Sequence, residues 1–475
     1  MESPRKDEST PTTAELTERA LAALSRLASS QLATEHQPFV PSERSPSDLR
    51  RELGIALAEQ GSGLDELVGK LERILAATPS SSSRRFFNQL FGGRDPAGLL
   101  AEMVTPLTNS SMYTYKVAGP AVLIEQEVIA RALRKLGYPD GEGTFSPGGS
   151  LSNMTAMLVA RNEKLREVRE NGFEGQRLTV YLSDQGHYSI RKSAGMLGLG
   201  RNAVRLVPTN VNGSMDSSAA RRLIEHDRRS GAIPLMLVAT TGTTVLGAFD
   251  PIGELADLAR EFDMWLHVDG AFGGSVMLSD EYRGLMDGAE RSDSFTWNAH
   301  KMMGVPLSCS MLLLSRRGLL QAHLDEPAEY LFQSDDAELN PGRHSIQCGR
   351  RNDALKLWAA WQLHGDAGFA RRIGRQFAVA RLFTSMIEND PELTLAKPPQ
   401  SINVCFEVTG KSSRDICTLL DRTGRLKIGF GTVDGRDVIR MVCVNPDVTE
   451  SDLRIFVEEI KSAAAELPLA SKTPT

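Results

Sequence analysis

Cysteine is scarce in this chain of 475 residues: five are present, Cys309, Cys348, Cys405, Cys417 and Cys443, with no C-x-x-C pair among them. So few and so scattered, they build neither a disulfide framework nor a zinc site. No metal centre is expected, and a reducing compartment, the cytoplasm, suits them. Long hydrophobic runs are missing too: no segment approaches the roughly 20 apolar residues of a membrane helix. Basic residues do not predominate, for the net charge is −6 and no long basic run occurs. Neither a nucleic acid nor an anionic membrane is therefore expected as a partner. Residues 1–8 are polar and charged, which is unlike a secretory signal. Internal repeats are lacking.

What is present divides into four stretches. Residues 1–12 read as a disordered tail. Thr12-Thr13-Ala14-Glu15 has capping-box spacing, and Leu16, Ala20, Leu24 and Leu27 follow at helical intervals. Residues 13–109 are therefore expected to form an N-terminal helical segment. Its apolar stripe needs a surface to cover it, on the main domain or on another subunit. Residues 110–370 alternate β-rich apolar runs (179–182, 234–239, 264–268, 311–314) with helical stretches (218–230, 252–262), the pattern of a mostly parallel sheet covered by helices. Ligands in such α/β sheets bind at the carboxyl ends of the strands. Residues 371–475 read as a small α+β C-terminal domain.

The chemistry is concentrated in two segments. Trp265-Leu266-His267-Val268-Asp269 is an apolar strand that ends in a carboxylate, and Asn298-Ala299-His300-Lys301 places a lysine directly after a histidine. An Asp at a strand end is usually a turn residue, and a lone Lys is usually solvated. Together they match what pyridoxal 5′-phosphate (PLP) needs: an amine to condense with its aldehyde, and a carboxylate to hold its ring nitrogen protonated.

Further ordered motifs carry a resemblance. They are Arg85-Phe86-Phe87-Asn88-Gln89-Leu90, Phe145-Ser146-Pro147-Gly148-Gly149-Ser150-Leu151-Ser152-Asn153, Gly242-Thr243-Thr244-Val245-Leu246-Gly247, Asn298-Ala299-His300-Lys301 and Arg440-Met441-Val442. The chain resembles the group II PLP-dependent decarboxylases of fold type I, most of all the glutamate and cysteine-sulfinate branch. The resemblance implies that Lys301 holds PLP, that Asp269 pairs with the ring nitrogen and that His187 stacks on the ring. It implies that Gly148, Gly149 and Ser150 open a helix whose N-terminus takes the phosphate. Asn298 and His300 would add phosphate contacts, and Thr240 would lie near the cofactor hydroxyl. Arg440 would bind the substrate α-carboxylate, with Gln89, Phe87 and Tyr113 around the substrate side chain. The substrate would be an acidic or sulfur-containing L-amino acid, and the enzyme a homodimer.

Some positions depart from that pattern. Family members carry a mobile loop whose tyrosine reprotonates the substrate carbon after CO2 leaves. Here residues 334–346 contain no tyrosine, and Glu338 aligns with its place. A carbanion without that donor can react with O2, giving decarboxylation-dependent oxidative deamination to an aldehyde, with an S-substituted cysteine as one candidate substrate in specialised metabolism. It can also expel a β-group, as a lyase does, or be protonated by Glu338, His344 or the lysine itself. Lys116 stands where an acidic residue is usual. Gly270 and Ala299 replace alanine and proline beside the two key residues, which is expected to add room near the cofactor.

Overall fold

The computed structural model describes residues 11–469 apart from 36, 40–44, 327, 329–331 and 333–338. Seven strands build the larger sheet: β1 (Glu142–Ser146), β2 (Leu178–Ser183), β3 (Val204–Val207), β4 (Ile233–Thr240), β5 (Trp265–Gly270), β6 (Ser294–Asn298) and β7 (Ser310–Leu314). Their order across the sheet is β1-β7-β6-β5-β4-β2-β3. The β3, β2, β4, β5 and β6 strands run parallel, while β7 runs antiparallel to both β6 and β1. Every residue of β2, β5, β6 and β7 is buried. A strand covered by helices on both faces reads as a continuous apolar run, which is why the alternation in the sequence was visible. The expected α/β class with a mostly parallel sheet is what the fold shows.

This arrangement delivers chemistry to one edge. Thr240 ends β4 and pairs in register with Asp269 of β5, which pairs with Thr296 of β6. Asn298 ends β6 opposite Ser310, and Ser146 ends β1 opposite the same Ser310. Directly after β1, the helix Gly149–Lys164 begins on that edge.

The smaller sheet is antiparallel, in the order β10-β11-β9-β8: β8 (Leu393–Leu395), β9 (Asn403–Val408), β10 (Gly429–Val433) and β11 (Arg436–Val442). Its core is a set of edge-on rings, with Phe456 5.0 Å from Phe87 and 5.3 Å from Phe383. Phe87 belongs to this lobe through its backbone as well: its N–H donates to Lys427 O at 2.7 Å, and its carbonyl accepts from Val442 N–H at 3.1 Å. Residues 85–87 therefore pack with the C-terminal strands rather than within an independent N-terminal segment.

The two sheets are joined by the helix Ala354–Glu388, broken once at Gly365 (φ 60°, ψ −178°). That positive φ favours glycine. The expected boundary at residue 371 falls inside this helix. Near the N-terminus, Thr12 and Glu15 form the capping box of the helix Thr13–Thr34. Of its apolar stripe Leu27 is buried, while Leu16 and Leu24 remain exposed. No helix among the described residues is long and apolar enough to cross a membrane.

Candidate active site

A cavity of about 250 Å³ opens at the carboxyl ends of β4, β5 and β6, lined in part by Gly149, Ser150, His187, Thr240, Asp269, Asn298, His300 and Lys301. Parallel strands converge there, so residues far apart in sequence meet.

Lys301 lies in the tight turn that follows β6, closed by its own N–H to Asn298 O at 3.1 Å. Burial pushes its amine below the usual lysine range, and the Asp269 carboxylate opposes that shift. A lowered lysine pKa enlarges the neutral, nucleophilic fraction. Asp269 accepts from both sides: Oδ1 from Ala271 N–H at 3.1 Å and Oδ2 from Asn153 Nδ2 at 2.8 Å. His187, on the turn after β2, sits 2.8 Å through Nδ1 from Ser189 Oγ. Burial lowers its pKa, while Asp269 acts in the opposite sense. With a lowered pKa the ring stays neutral near pH 7 and can lie flat on a heteroaromatic face.

The phosphate end is shaped by close approach. A β-carbon at Gly149 would lie 2.8 Å from Asn298 Nδ2, so only glycine fits there. Gly148 precedes it at φ 124°, and Gly149 and Ser150 present the helix start to the cavity. Free N–H groups at a helix start bind anions. Asn298 Oδ1 accepts from Ser310 Oγ at 2.6 Å, which leaves its Nδ2 donors toward Gly149. His300 Nδ1 lies 2.9 Å from both the N–H and the carbonyl oxygen of Cys309. Burial pushes its pKa down to about 4, so the ring is neutral at pH 7. Thr240 donates its backbone N–H to Asp250 at 2.7 Å, while its buried hydroxyl has no partner among the described residues. A buried hydroxyl without a partner is costly unless a ligand satisfies it. The orphaned hydroxyl, the glycine cradle and the buried amine fit PLP.

The substrate side is less uniform. Arg440, on β11, donates to Thr244 O at 2.9 Å and to Asn88 O, and Thr244 lines the cavity. Gln89 is exposed, and Leu90 lines the cavity instead. Phe87 is corrected to a core residue: its ring is buried against Phe456 and does not reach the cavity wall. Tyr113 also lies off that wall, stacked on Phe332 at 5.3 Å and packed against Gly342. Glu338 lies outside the described residues. His344 lines a different cavity, beside Glu142 and Thr144 of β1. Gly270 adds no room, because a β-carbon there would overlap the Phe295 ring.

Residue patterns missed the supporting groups. Asn153, one helical turn from Gly149, contacts Asp269, Ser189 and His267. Its place at the end of the segment Phe145–Asn153 was the signal that could have found it. Behind Lys301, the Met302 carbonyl accepts from Arg372 Nε at 2.8 Å and from Gln376 Nε2 at 2.7 Å. Gln376 Nε2 also donates to Val444 O at 2.6 Å.

Comparison with known proteins agrees with this geometry. Residues 46–409 match the pyridoxal-dependent decarboxylase conserved domain. The chain is 36% identical over 447 residues to human cysteine sulfinic acid decarboxylase, covering 89% of this chain and 91% of that protein. It is 34% identical over 458 residues to the acidic amino acid decarboxylase GADL1 of mouse, covering 92% and 83%. The crystal structure of mouse CSAD superposes with a TM-score of 0.89 at 33% identity, covering 95% of this chain and all of that one.

Proposed function

The chain belongs to the pyridoxal-dependent decarboxylase family, and from that premise we propose that it removes the α-carboxylate of a small L-amino acid whose side chain carries a second acidic group, a carboxylate or a sulfinate. The enzyme is a PLP-dependent carboxy-lyase. The observation that carries the reading is the buried Lys301 amine facing Asp269 across one cavity, in a chain similar to relatives named for cysteine sulfinate and acidic amino acids.

PLP, when bound, supplies an electron sink for the pair released as CO2 departs. The residues supply the rest. Lys301 would hold the cofactor, Asp269 would pair with its ring nitrogen and His187 would cover its face. Gly148, Gly149, Ser150, Asn298 and His300 hold the phosphate, and Thr240 offers its hydroxyl. Arg440 grips the substrate α-carboxylate. Its anchoring to Thr244 O and Asn88 O fixes the plane of the guanidinium, which sets the bond to be cleaved.

A second reading concerns the product. No tyrosine follows Tyr330, so the proton donor that usually ends the reaction is missing from residues 334–346. On this reading substrate, O2 and water give aldehyde, CO2, ammonia and H2O2 instead of amine and CO2. Holoenzyme should be assayed with cysteine sulfinate, aspartate, glutamate and S-substituted cysteines, with and without oxygen. CO2 release from an acidic or sulfinate substrate supports the main reading; no CO2 from any of these sinks it. Oxygen uptake matched to CO2 selects the oxidative product, and amine alone in air rejects it. Arg440→Lys should lose about tenfold or more in kcat/KM with unchanged cofactor absorbance, because it keeps charge but loses the planar fork.

The enzyme works as a homodimer in the cytoplasm on this proposal. Leu16, Leu21, Leu24, Leu67, Leu71 and Leu75 are exposed on helices near the N-terminus, as are Leu100, Val104 and Leu107 on the helix Pro96–Thr108. That much apolar surface calls for a partner, and a second copy provides the same surface. Light scattering should give twice the chain mass; a fully active monomer would contradict it.

A further inference from the structure

Beneath the cavity lies an unbroken hydrogen-bonded chain. Trp265, His267 and Asp269 alternate along β5, so all three project from one face of the sheet. Ser294 of β6 pairs in register with His267, and Asn153 of the helix Gly149–Lys164 packs onto the same face. The links are Trp265 Nε1 to Ser294 Oγ at 2.7 Å, Ser294 Oγ to His267 Nδ1 at 2.8 Å, His267 Nε2 to Asn153 Oδ1 at 3.0 Å and Asn153 Nδ2 to Asp269 Oδ2 at 2.8 Å.

The Asp269 end of this chain fixes its direction. An indole N–H only donates, so the Ser294 hydroxyl accepts from Trp265 and keeps its own proton available for His267 Nδ1. An imidazole that accepts at Nδ1 and is neutral carries its proton on Nε2. His267 is fully buried, and burial pushes its pKa down to about 4, so it is neutral at pH 7. Nε2–H then meets Asn153 Oδ1, and the amide is left to donate through Nδ2. From the other end, an ionised Asp269 only accepts, which fixes Asn153 the same way. Reversing any one link sets two donors or two acceptors face to face in a dry interior, where an unmade hydrogen bond is expensive.

We propose that His267 is a positioning residue, the midpoint of a one-way donor chain that runs from Trp265 to Asp269 and holds Asp269 as an acceptor toward the cofactor nitrogen. Asn153 carries a branch: its Nδ2 also donates to Ser189 Oγ at 3.1 Å, and that hydroxyl lies 2.8 Å from His187 Nδ1. The same chain therefore sets the His187 proton on Nε2. This proposal rests on the reading that Asp269 serves PLP, yet its first test does not need the cofactor.

Apoenzyme labelled with 15N-histidine should show His267 protonated on Nε2, and Asn153→Ala, which cuts the link to Asp269, should let both tautomers appear. A native Nδ1–H tautomer, or an Asn153→Ala protein with the tautomer unchanged, would overturn the chain. In holoenzyme, His267→Phe should weaken PLP binding by about tenfold, the scale of one charge-assisted hydrogen bond, and shift the pH titration of bound-cofactor absorbance. His267→Gln, with one donor and one acceptor, should restore both. A merely structural role would lower Tm without moving the titration or being rescued. Folded His267→Phe with native PLP affinity and titration refutes the role. If His267→Phe does not fold, the apoenzyme tautomers decide. Should the tautomer be Nε2–H while Asp269→Asn binds PLP as the native protein does, the chain stands and the cofactor reading of Asp269 falls.

Discussion

Lys301→Ala is expected to lose decarboxylation by roughly 10⁴-fold or more, the scale on which removing a covalent-catalysis residue acts. Three features support so large a loss. Lys301 is the one lysine among the described residues that lines the cavity, its amine is held below the usual lysine range, and its turn is braced by two long side chains from behind. Borohydride treatment of native holoenzyme should fix the cofactor to a single peptide containing Lys301, and the variant should take no label. Label retained in Lys301→Ala, or activity within tenfold of native, would place the amine elsewhere. The variant should keep its fold, because alanine shortens a side chain that faces open cavity.

Asp269→Asn should be the second most damaging change. The carboxamide matches the carboxylate in shape but removes the charge that a protonated ring nitrogen needs. Stripping one partner from a buried ion pair costs on the order of 3 kcal/mol or more, over a hundredfold in kcat/KM. The change also disturbs its surroundings. Asn153 Nδ2 and Ala271 N–H both point at this group as donors, and an amide nitrogen placed there would face one of them. The expected outcome is therefore weaker PLP binding together with slower turnover, read from the cofactor dissociation constant and kcat/KM. A variant with native values of both would remove Asp269 from the site.

How far residue order revealed this site depends on what each residue does. Lys301 and Asp269 could be proposed from the sequence because covalent and charge chemistry accept few residue types and a strand end is a recognisable address, and the fold brings both to one cavity. Asn153 sat inside a quoted motif, but its bond to Asp269 exists only once the helix Gly149–Lys164 crosses β5, a contact between residues more than a hundred positions apart. Gly270 was misread because a small residue suggests space, whereas the volume is taken by Phe295 from the next strand. Phe87 was assigned to the substrate pocket from the resemblance alone; its ring lies in the aromatic core of the smaller lobe. The boundary expected at 371 falls inside the helix Ala354–Glu388. Helical periodicity continues through Gly365, and only backbone geometry shows the interruption, six residues earlier.

Gln376 sets a length. One amide nitrogen on the helix Ala354–Glu388 holds the carbonyl next to Lys301 and, at the same time, the Val444 carbonyl two residues past β11, the strand that bears Arg440. The amine proposed to hold the cofactor and the cation proposed for the substrate carboxylate are thus gauged against one rigid pin, like the jaws of a caliper. Any tilt of the smaller sheet that would widen the jaws must first break a buried hydrogen bond. The span between the two groups, and with it the size of amino acid that can bridge them, is fixed before any substrate arrives.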